Sequence, residues 1–331
     1  MHASSFRWLA IATLPALTAA CSTKVETPSP STSPPPPTTL ATDGFASAEI
    51  AVANGTVFWA DRNPSIVDSI KAVPATGGPT STFYTSPDDV AAIEAIAVDA
   101  TSLYLAEVEA DHKSTLKRIP LGGGAPETIA ANDLILSVAV DAAGVYYSDF
   151  EHVFRVSPQG GAVETLAPPG PDASPLVTNL AANGNGAWWL AVNEQLTIMH
   201  AGADAGAEPL LALPSVIPLA LALNQDHVFF GTVPNAPSGG PSTLVSVAMA
   251  GAAAKTLTEE NGTINAIAAD DTNVYWLSGD AGPGTLQKVP VGGGASTAIA
   301  TYPHTGTRGG LALDGARAYW TSGGVVMSVP K

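Results

Sequence analysis

Charged residues and cysteine are both scarce in this chain of 331 residues. Only 13% of the residues are charged, and the single cysteine, Cys21, excludes an intramolecular disulfide and a cysteine-rich metal site. Basic residues are the scarcer kind, since 13 Lys and Arg stand against 29 Asp and Glu, and the formal net charge is −16. Because such a field repels nucleic acid and anionic lipid headgroups, we predict no nucleic-acid partner.

The chain also lacks the short motifs that mark common enzymes. It contains no Gly-x-Ser-x-Gly, no His-Glu-x-x-His, no EF-hand calcium loop and no dinucleotide-binding glycine fingerprint. Glycine runs such as Gly77-Gly78 and Gly122–Gly124 precede neither a Lys-Ser/Thr pair nor a helical pattern, so they indicate hairpin turns. We therefore predict no catalytic residues and a function in binding.

The N-terminus has the pattern of a secretion signal over residues 1–20. The apolar run from Trp8 to Leu17 is too short to span a bilayer as a helix, and small residues follow it. The stretch Leu17-Thr18-Ala19-Ala20-Cys21 resembles the lipobox of bacterial lipoproteins, although the leucine lies four rather than three positions before the cysteine. The resemblance implies lipidation of Cys21 and, with Ser22 next, an anchor in the outer membrane of a bacterial envelope. The alternative is a secreted protein with a free thiol.

Residues 21–37 are predicted to form a tether. Apart from a few residues at its start, this segment consists of Ser, Thr and Pro, which cannot bury enough apolar surface to fold. We expect the folded domain to occupy residues 38–331.

That domain repeats one ten-residue pattern seven times, at intervals of 41 to 46 residues. Each copy has an apolar triplet with alanine in the middle, a polar turn that begins with Asn or Asp, and a further apolar stretch that is mostly aromatic. The copies begin at Ile50, Ile96, Val138, Leu180, Leu221, Ile267 and Leu311. A repeat of this period indicates a modular β architecture, and the recurring alanine suggests a crowded innermost strand.

Four strands can be assigned to each repeat from the apolar alternation and the turns. The seventh repeat stops after its third strand, at Lys331, whereas Thr39-Leu40-Ala41 at the other end matches the missing fourth strand. We predict an all-β, seven-bladed β-propeller of four-stranded antiparallel blades, closed by an N-terminal strand that joins the three C-terminal strands.

The phrases Val274-Tyr275-Trp276-Leu277-Ser278 and Val57-Phe58-Trp59-Ala60-Asp61 resemble the Tyr-Trp-Thr-Asp repeats of low-density lipoprotein receptors. They are also similar to the looser bacterial propellers of the NHL and TolB kind. Two departures are that the receptor propellers have six blades and that the acidic position is acidic only at Asp61, Glu107 and Asp149. In those relatives this aspartate mainly joins blades together. The resemblance covers residues 38–331 and implies the fold, but not the function.

Loops between strands 2 and 3 and loops between blades should share one face, which collects carboxylates and histidines. The candidate binding face consists of Asp61, Glu107, Asp111, His112, Asp149, Glu151, His152 and His304. Carboxylates near imidazoles could ligate a divalent cation or act as acid and base, and the alternative is a solvated acidic rim. We expect no cofactor, with a divalent cation as the open alternative.

The function predicted from the sequence is a monomeric, membrane-anchored envelope propeller that binds a protein or a small ligand. One alternative is a structural scaffold in outer-membrane assembly. Another is a metal-dependent enzyme similar to the streptogramin-type lyase, in which His112 and His152 would have to converge.

Overall fold

A computed structural model describes most of the chain between Pro34 and Lys331. The residues outside this description are 1–33, 35, 43–45, 63–66, 88–91, 110–112, 168–175, 193–194, 203–205, 214–215, 235–239, 252, 281 and 304–308. The predicted signal, the lipidation site Cys21 and nearly all of the predicted tether therefore lie outside the described residues. Those predictions are not tested.

Every repeat forms an antiparallel sheet of four strands, and the described residues contain no helix. The first strands of the seven sheets are β2 (Ala46–Ala53), β6 (Ala92–Val98), β10 (Ser137–Val140), β14 (Leu176–Asn183), β18 (Val216–Leu223), β22 (Ile264–Ala269) and β26 (Leu311–Leu313). The second strands are β3 (Thr56–Asp61), β7 (Ser102–Val108), β11 (Val145–Ser148), β15 (Gly186–Val192), β19 (His227–Pro234), β23 (Asn273–Ser278) and β27 (Arg317–Ser322).

The remaining strands complete the blades. The third strands are β4 (Ser69–Pro74), β8 (Ser114–Pro120), β12 (Val153–Val156), β16 (Leu196–Ala201), β20 (Ser242–Ala248), β24 (Gly284–Pro290) and β28 (Val325–Pro330). The outer strands are β5 (Ser81–Thr85), β9 (Glu127–Asn132), β13 (Glu164–Ala167), β17 (Glu208–Leu213), β21 (Lys255–Glu260), β25 (Thr297–Tyr302) and, for the last blade, β1 (Thr38–Thr42). We number the blades 1 to 7 by their first strands.

The seven blades close into a ring, as predicted. Each first strand contacts the first strands of the two neighbouring blades, and β26 of blade 7 contacts β2 of blade 1. The N-terminal strand β1 pairs antiparallel with β28, with Thr39 opposite Met327 and Ala41 opposite Val326. The fold is a seven-bladed β-propeller in which the two ends of the domain share one blade.

Two consecutive large residues on each second strand hold neighbouring blades together. In blade 1, Phe58 packs against blade 2, in a cluster with Leu105, while Trp59 packs against blade 7, in a cluster with Tyr319. Successive strand residues point to opposite faces, so one pair of side chains serves both interfaces. The same arrangement recurs around the ring and yields seven apolar clusters, one for each interface. The mostly aromatic stretch of the repeat therefore supplies the contacts between blades.

The tight turns have the predicted chemistry. Asn54 and Gly55 join β2 to β3 with φ values of 49° and 71°, a left-handed conformation that Asn and Gly adopt at little cost. Gly77 and Gly78, between β4 and β5, have φ values of 88° and 142°. The glycine pair therefore forms a hairpin turn, as expected.

Replacing Leu40 with alanine tests ring closure through β1. Leu40 is buried in the cluster between blades 7 and 1, so its truncation should lower the free energy of unfolding by about 2–3 kcal/mol. The measurement is chemical denaturation, with Thr42→Ala on the same strand as control, because Thr42 is exposed. Equal stability of the two variants would contradict a structural role for β1.

Candidate functional site

The loops that follow the second strands and the loops that connect blades lie at the same end of the sheets, which we call the acidic face. Five of the eight predicted residues are described there: Asp61, Glu107, Asp149, Glu151 and His152. The other three, Asp111, His112 and His304, lie outside the described residues. The structure thus places the described part of this set on blades 1 to 3, and the binding face stays a prediction.

Glu107 is buried between blades 1 and 2, with 1% of its side chain exposed. Its carboxylate accepts hydrogen bonds from Ser86 and, at 3.0 Å, from the hydroxyl of Tyr84, both of blade 1. Lys117, on the neighbouring strand of blade 2, donates to the same carboxylate. Burial and the charge of Glu107 raise the pKa of Tyr84, so the phenol remains a donor. Glu107 therefore joins two blades, the role that the family resemblance implied.

Asp149 organises the loop between β11 and β12. Its Oδ1 accepts the backbone N–H groups of Glu151 at 2.7 Å and His152 at 2.6 Å, and Nδ1 of His152 lies 3.1 Å from its Oδ2. The side chain of Asn132, in blade 2, approaches the same Oδ2 at 3.5 Å. These bonds fix the loop conformation and leave the side chain of Glu151 exposed.

A contact from the end of an outer strand to the next blade recurs on the acidic face. Ser86, Asn132 and Glu260 occupy this position in blades 1, 2 and 5. In blade 5, Glu260 accepts the indole N–H of Trp276 at 3.2 Å and a hydrogen bond from Gln287, both of blade 6. At this end of the sheets, hydrogen bonds between polar side chains therefore join neighbouring blades, in addition to the apolar contacts.

A smaller charged group surrounds Arg62, just after β3. Its Nη2 lies 3.3 Å from Glu94 and 3.7 Å from Glu49. Glu94 sits where the pairing of β6 with β7 shifts between Ile93 and Ala95, and such a bulge re-aims the side chain of the extra residue. One guanidinium therefore serves two carboxylates from adjacent blades.

Asp68, just before β4 on this face, is a carboxylate whose pKa is changed by its surroundings. Burial raises the pKa of Asp68, and the charges of Glu94 and Glu107 act in the same direction. The backbone N–H of Ile93, which donates to Asp68 at 3.0 Å, and the charge of Arg62 oppose the rise without cancelling it. Asp68 therefore binds protons more readily than an ordinary aspartate.

Phe150 is an exposed aromatic residue, whereas the other Phe, Tyr and Trp residues whose burial the structure describes are buried or half-buried. It lies between Asp149 and Glu151, with 53% of the residue exposed. Its carbonyl accepts the N–H of Val177 at 2.7 Å, which attaches the loop to blade 4. Ile217, at the start of β18 on the same face, is 45% exposed. Sequence reasoning overlooked Phe150, and the available signal was a large apolar residue in an otherwise polar loop.

Neither a metal centre nor a membrane-spanning helix was found in the part of the chain that the structure describes. No group of three or more His, Cys, Asp or Glu side chains there is arranged to hold a metal ion. Likewise, no helix in those residues has the length and apolar character needed to cross a bilayer.

The opposite face, which we call the turn face, carries the turns between first and second strands. In blade 2, Oδ1 of Asp99 accepts the backbone N–H groups of Thr101 at 2.6 Å and Ser102 at 2.8 Å, while Oδ2 accepts the Tyr104 hydroxyl at 2.9 Å. Equivalent aspartates with a tyrosine partner are Asp141, Asp270 and Asp314. The Asp that begins the turn in the repeat therefore binds the backbone of its own turn.

Two cavities open between blades on the turn face. The cavity between blades 1 and 2 has a volume of about 360 Å³ and is lined by Asn54, Phe58 and Leu121 among others. The cavity between blades 2 and 3 has a volume of about 330 Å³, and charged side chains such as Asp99 and Arg118 line it.

Solved structures with this fold share little sequence with the chain. No family model and no curated protein matches it. A chain of a mitotic checkpoint complex has a TM-score of 0.67 at 12% identity, with 100% of this chain and 99% of that chain covered. The Pan2 WD40 domain of Neurospora crassa has a TM-score of 0.63 at 8% identity, covering 86% and 88%. A chain of a nidogen/laminin complex has a TM-score of 0.53 at 15% identity, covering 73% and 93%. At these identities the likeness shows a β-propeller fold alone.

Replacing Glu107 with alanine should destabilise the propeller by about 3–5 kcal/mol, because it leaves the Lys117 ammonium in a largely buried position without its partner. Glu151→Ala is the matched control, since that carboxylate is exposed on the same face. Urea denaturation of both variants measures the difference. A loss below 1 kcal/mol for Glu107→Ala would show that the carboxylate does not hold the blades together.

Proposed function

We propose that this propeller acts by binding a protein partner on the acidic face, near the tip of blade 3, rather than by catalysis. The observation that carries the proposal is Phe150, an exposed ring on a loop whose backbone is held by Asp149 and Val177. Aromatic side chains dominate the energetics of many protein interfaces, and a preordered loop lowers the entropy cost of binding.

Charge around Phe150 indicates the kind of partner. Asp149 and Glu151 flank the ring, and Asp133 is adjacent to Asn132, whose side chain approaches Asp149. An Arg or Lys side chain could contact both the ring face and a carboxylate. We therefore infer a partner with a basic surface, which the net charge of −16 would attract over longer distances.

Two of the structures with this fold come, by name, from assemblies: a mitotic checkpoint complex and a nidogen/laminin complex. This supports a binding role in general without identifying a partner for this chain. The proposed setting is the bacterial envelope, with the propeller anchored through a lipid on Cys21 and lifted by the Pro-rich tether.

The binding proposal can be tested with a photo-crosslinking amino acid at position 150 in living cells. We expect a discrete crosslinked protein from position 150 and none from position 163. Val163 is a suitable control because it is also an exposed apolar residue, at 44%, but lies on the turn face. Purified wild-type domain should compete the crosslink away.

In the same assay, the Phe150→Ala variant should compete at least about tenfold less well than the wild type, because it lacks the apolar anchor. Val163→Ala should compete like the wild type. Equal competition by both variants, or crosslinks of equal yield from both positions, would contradict the proposed surface.

Membrane anchoring is tested separately with Cys21→Ser. Without the sulfur that carries the lipid, the protein should move from the membrane fraction to the soluble fraction, because the acyl chains supply the membrane affinity. Mass spectrometry of the wild-type N-terminal peptide should show the added lipid. Unchanged membrane association of the variant would refute the anchor but leave the binding surface untouched.

A further inference from the structure

Blades 2 and 6 contain the same polar arrangement on the turn face. In residues 99–104 and 270–275, the aspartate accepts the backbone N–H and the hydroxyl of the threonine two positions later. In both, the other carboxylate oxygen accepts a tyrosine hydroxyl, at 2.9 Å from Tyr104 and at 3.2 Å from Tyr275. The two blades therefore present the same carboxylate beside the same ring.

In blade 6 this arrangement holds an ammonium group. Nζ of Lys331, which directly follows β28 of blade 7, lies 2.7 Å from Oδ2 of Asp270. It also lies 5.9 Å from the centroid of the Tyr275 ring, within the range of a cation–π interaction. Burial alone would raise the pKa of Asp270, but Lys331 and the donors of residues 272 and 273 lower it well below its usual range. The chain thus shows how this arrangement binds a primary ammonium.

At the junction between blades 2 and 3, the position that corresponds to Lys331 is not occupied by a lysine. Pro158 of blade 3 stands at that position, because Val153–Pro158 aligns with Val326–Lys331 in the repeat. Among the described residues, no ammonium or guanidinium nitrogen lies within 4.0 Å of the Asp99 carboxylate. The cavity of about 330 Å³ opens there instead, lined by both Asp99 and Pro158.

The other charged groups in this cavity limit what it can bind. Asp141 and Arg118 also line it, so two carboxylates face one guanidinium. Nη1 of Arg118 donates to the carbonyl of Pro158 at 3.2 Å and lies 4.0 Å from the Glu127 carboxylate. Carboxylates therefore outnumber the guanidinium around this cavity, which favours a cationic ligand.

We propose that the cavity between blades 2 and 3 binds a small primary amine. Its ammonium occupies the place beside Asp99 and Tyr104 that Lys331 occupies beside Asp270 and Tyr275. A volume of about 330 Å³ is at the small end of ligand pockets, which suits a compact molecule.

The probe is 2-aminoethanol, titrated into the full-length protein and followed by ligand-observed NMR. We expect saturable binding at one site and none of ethylene glycol, which has a similar size but no charge. Asp99→Asn should weaken binding at least about tenfold. This variant should fold, because asparagine occupies the corresponding turn position at Asn54, Asn183 and Asn224. Asp314→Asn makes the same change in blade 7 and should bind like the wild type.

Two further variants test the comparison between the site beside Asp99 and the site beside Asp270. Pro158→Lys supplies the chain's own ammonium to Asp99 and should abolish binding. Lys331→Ala vacates the place beside Asp270 and should add a second site, so that two molecules bind per chain. Binding that is absent from the wild type, unaffected by Asp99→Asn and Pro158→Lys, or still of one molecule in Lys331→Ala would overturn the proposal.

Discussion

The structure depends on burial of two apolar faces that no single blade can cover. Each second strand places two consecutive large side chains on opposite faces, such as Phe58 toward blade 2 and Trp59 toward blade 7. Rings of this size each remove a large apolar area from water, so an end blade without a neighbour would leave an unfavourable surface. Closing the ring is the only arrangement in which all seven blades have two neighbours, and β1 makes the closure a property of both ends of the domain.

Polar residues at both ends of the sheets also connect neighbouring blades. On the acidic face, Glu107 and Glu260 accept hydrogen bonds from neighbouring blades and are therefore part of the framework. On the turn face, Asp270 holds its own turn and also Lys331 of the next blade. The two sites proposed above for binding are the exposed ring of Phe150 and the cavity beside Asp99, whose carboxylate holds its own turn but no cation of the next blade in the described part of the chain.

The fold was predictable because its signals repeat. The match between Thr39–Ala41 and the missing fourth strand predicted β1 correctly, and the seven copies of the repeat predicted the number of blades. The candidate site was harder to predict from the sequence. The burial of Glu107 depends on Tyr84 of another blade, which the spacing of acidic residues does not reveal. The cavity is lined by Pro158, whose counterpart in blade 7 is Lys331, and this difference is visible only when the blades are compared in the structure.

Ring closure is the central claim, since the positions of both faces follow from it. Hydrogen exchange of individual backbone amides tests it most directly, because exchange reports the opening of each strand pair. If β1 completes blade 7, the amides of Thr38–Thr42 that bond to β28 should exchange as slowly as those that join β27 to β28. Rapid exchange of the β1 amides alongside slow exchange of β27 and β28 would show an open ring and contradict the account.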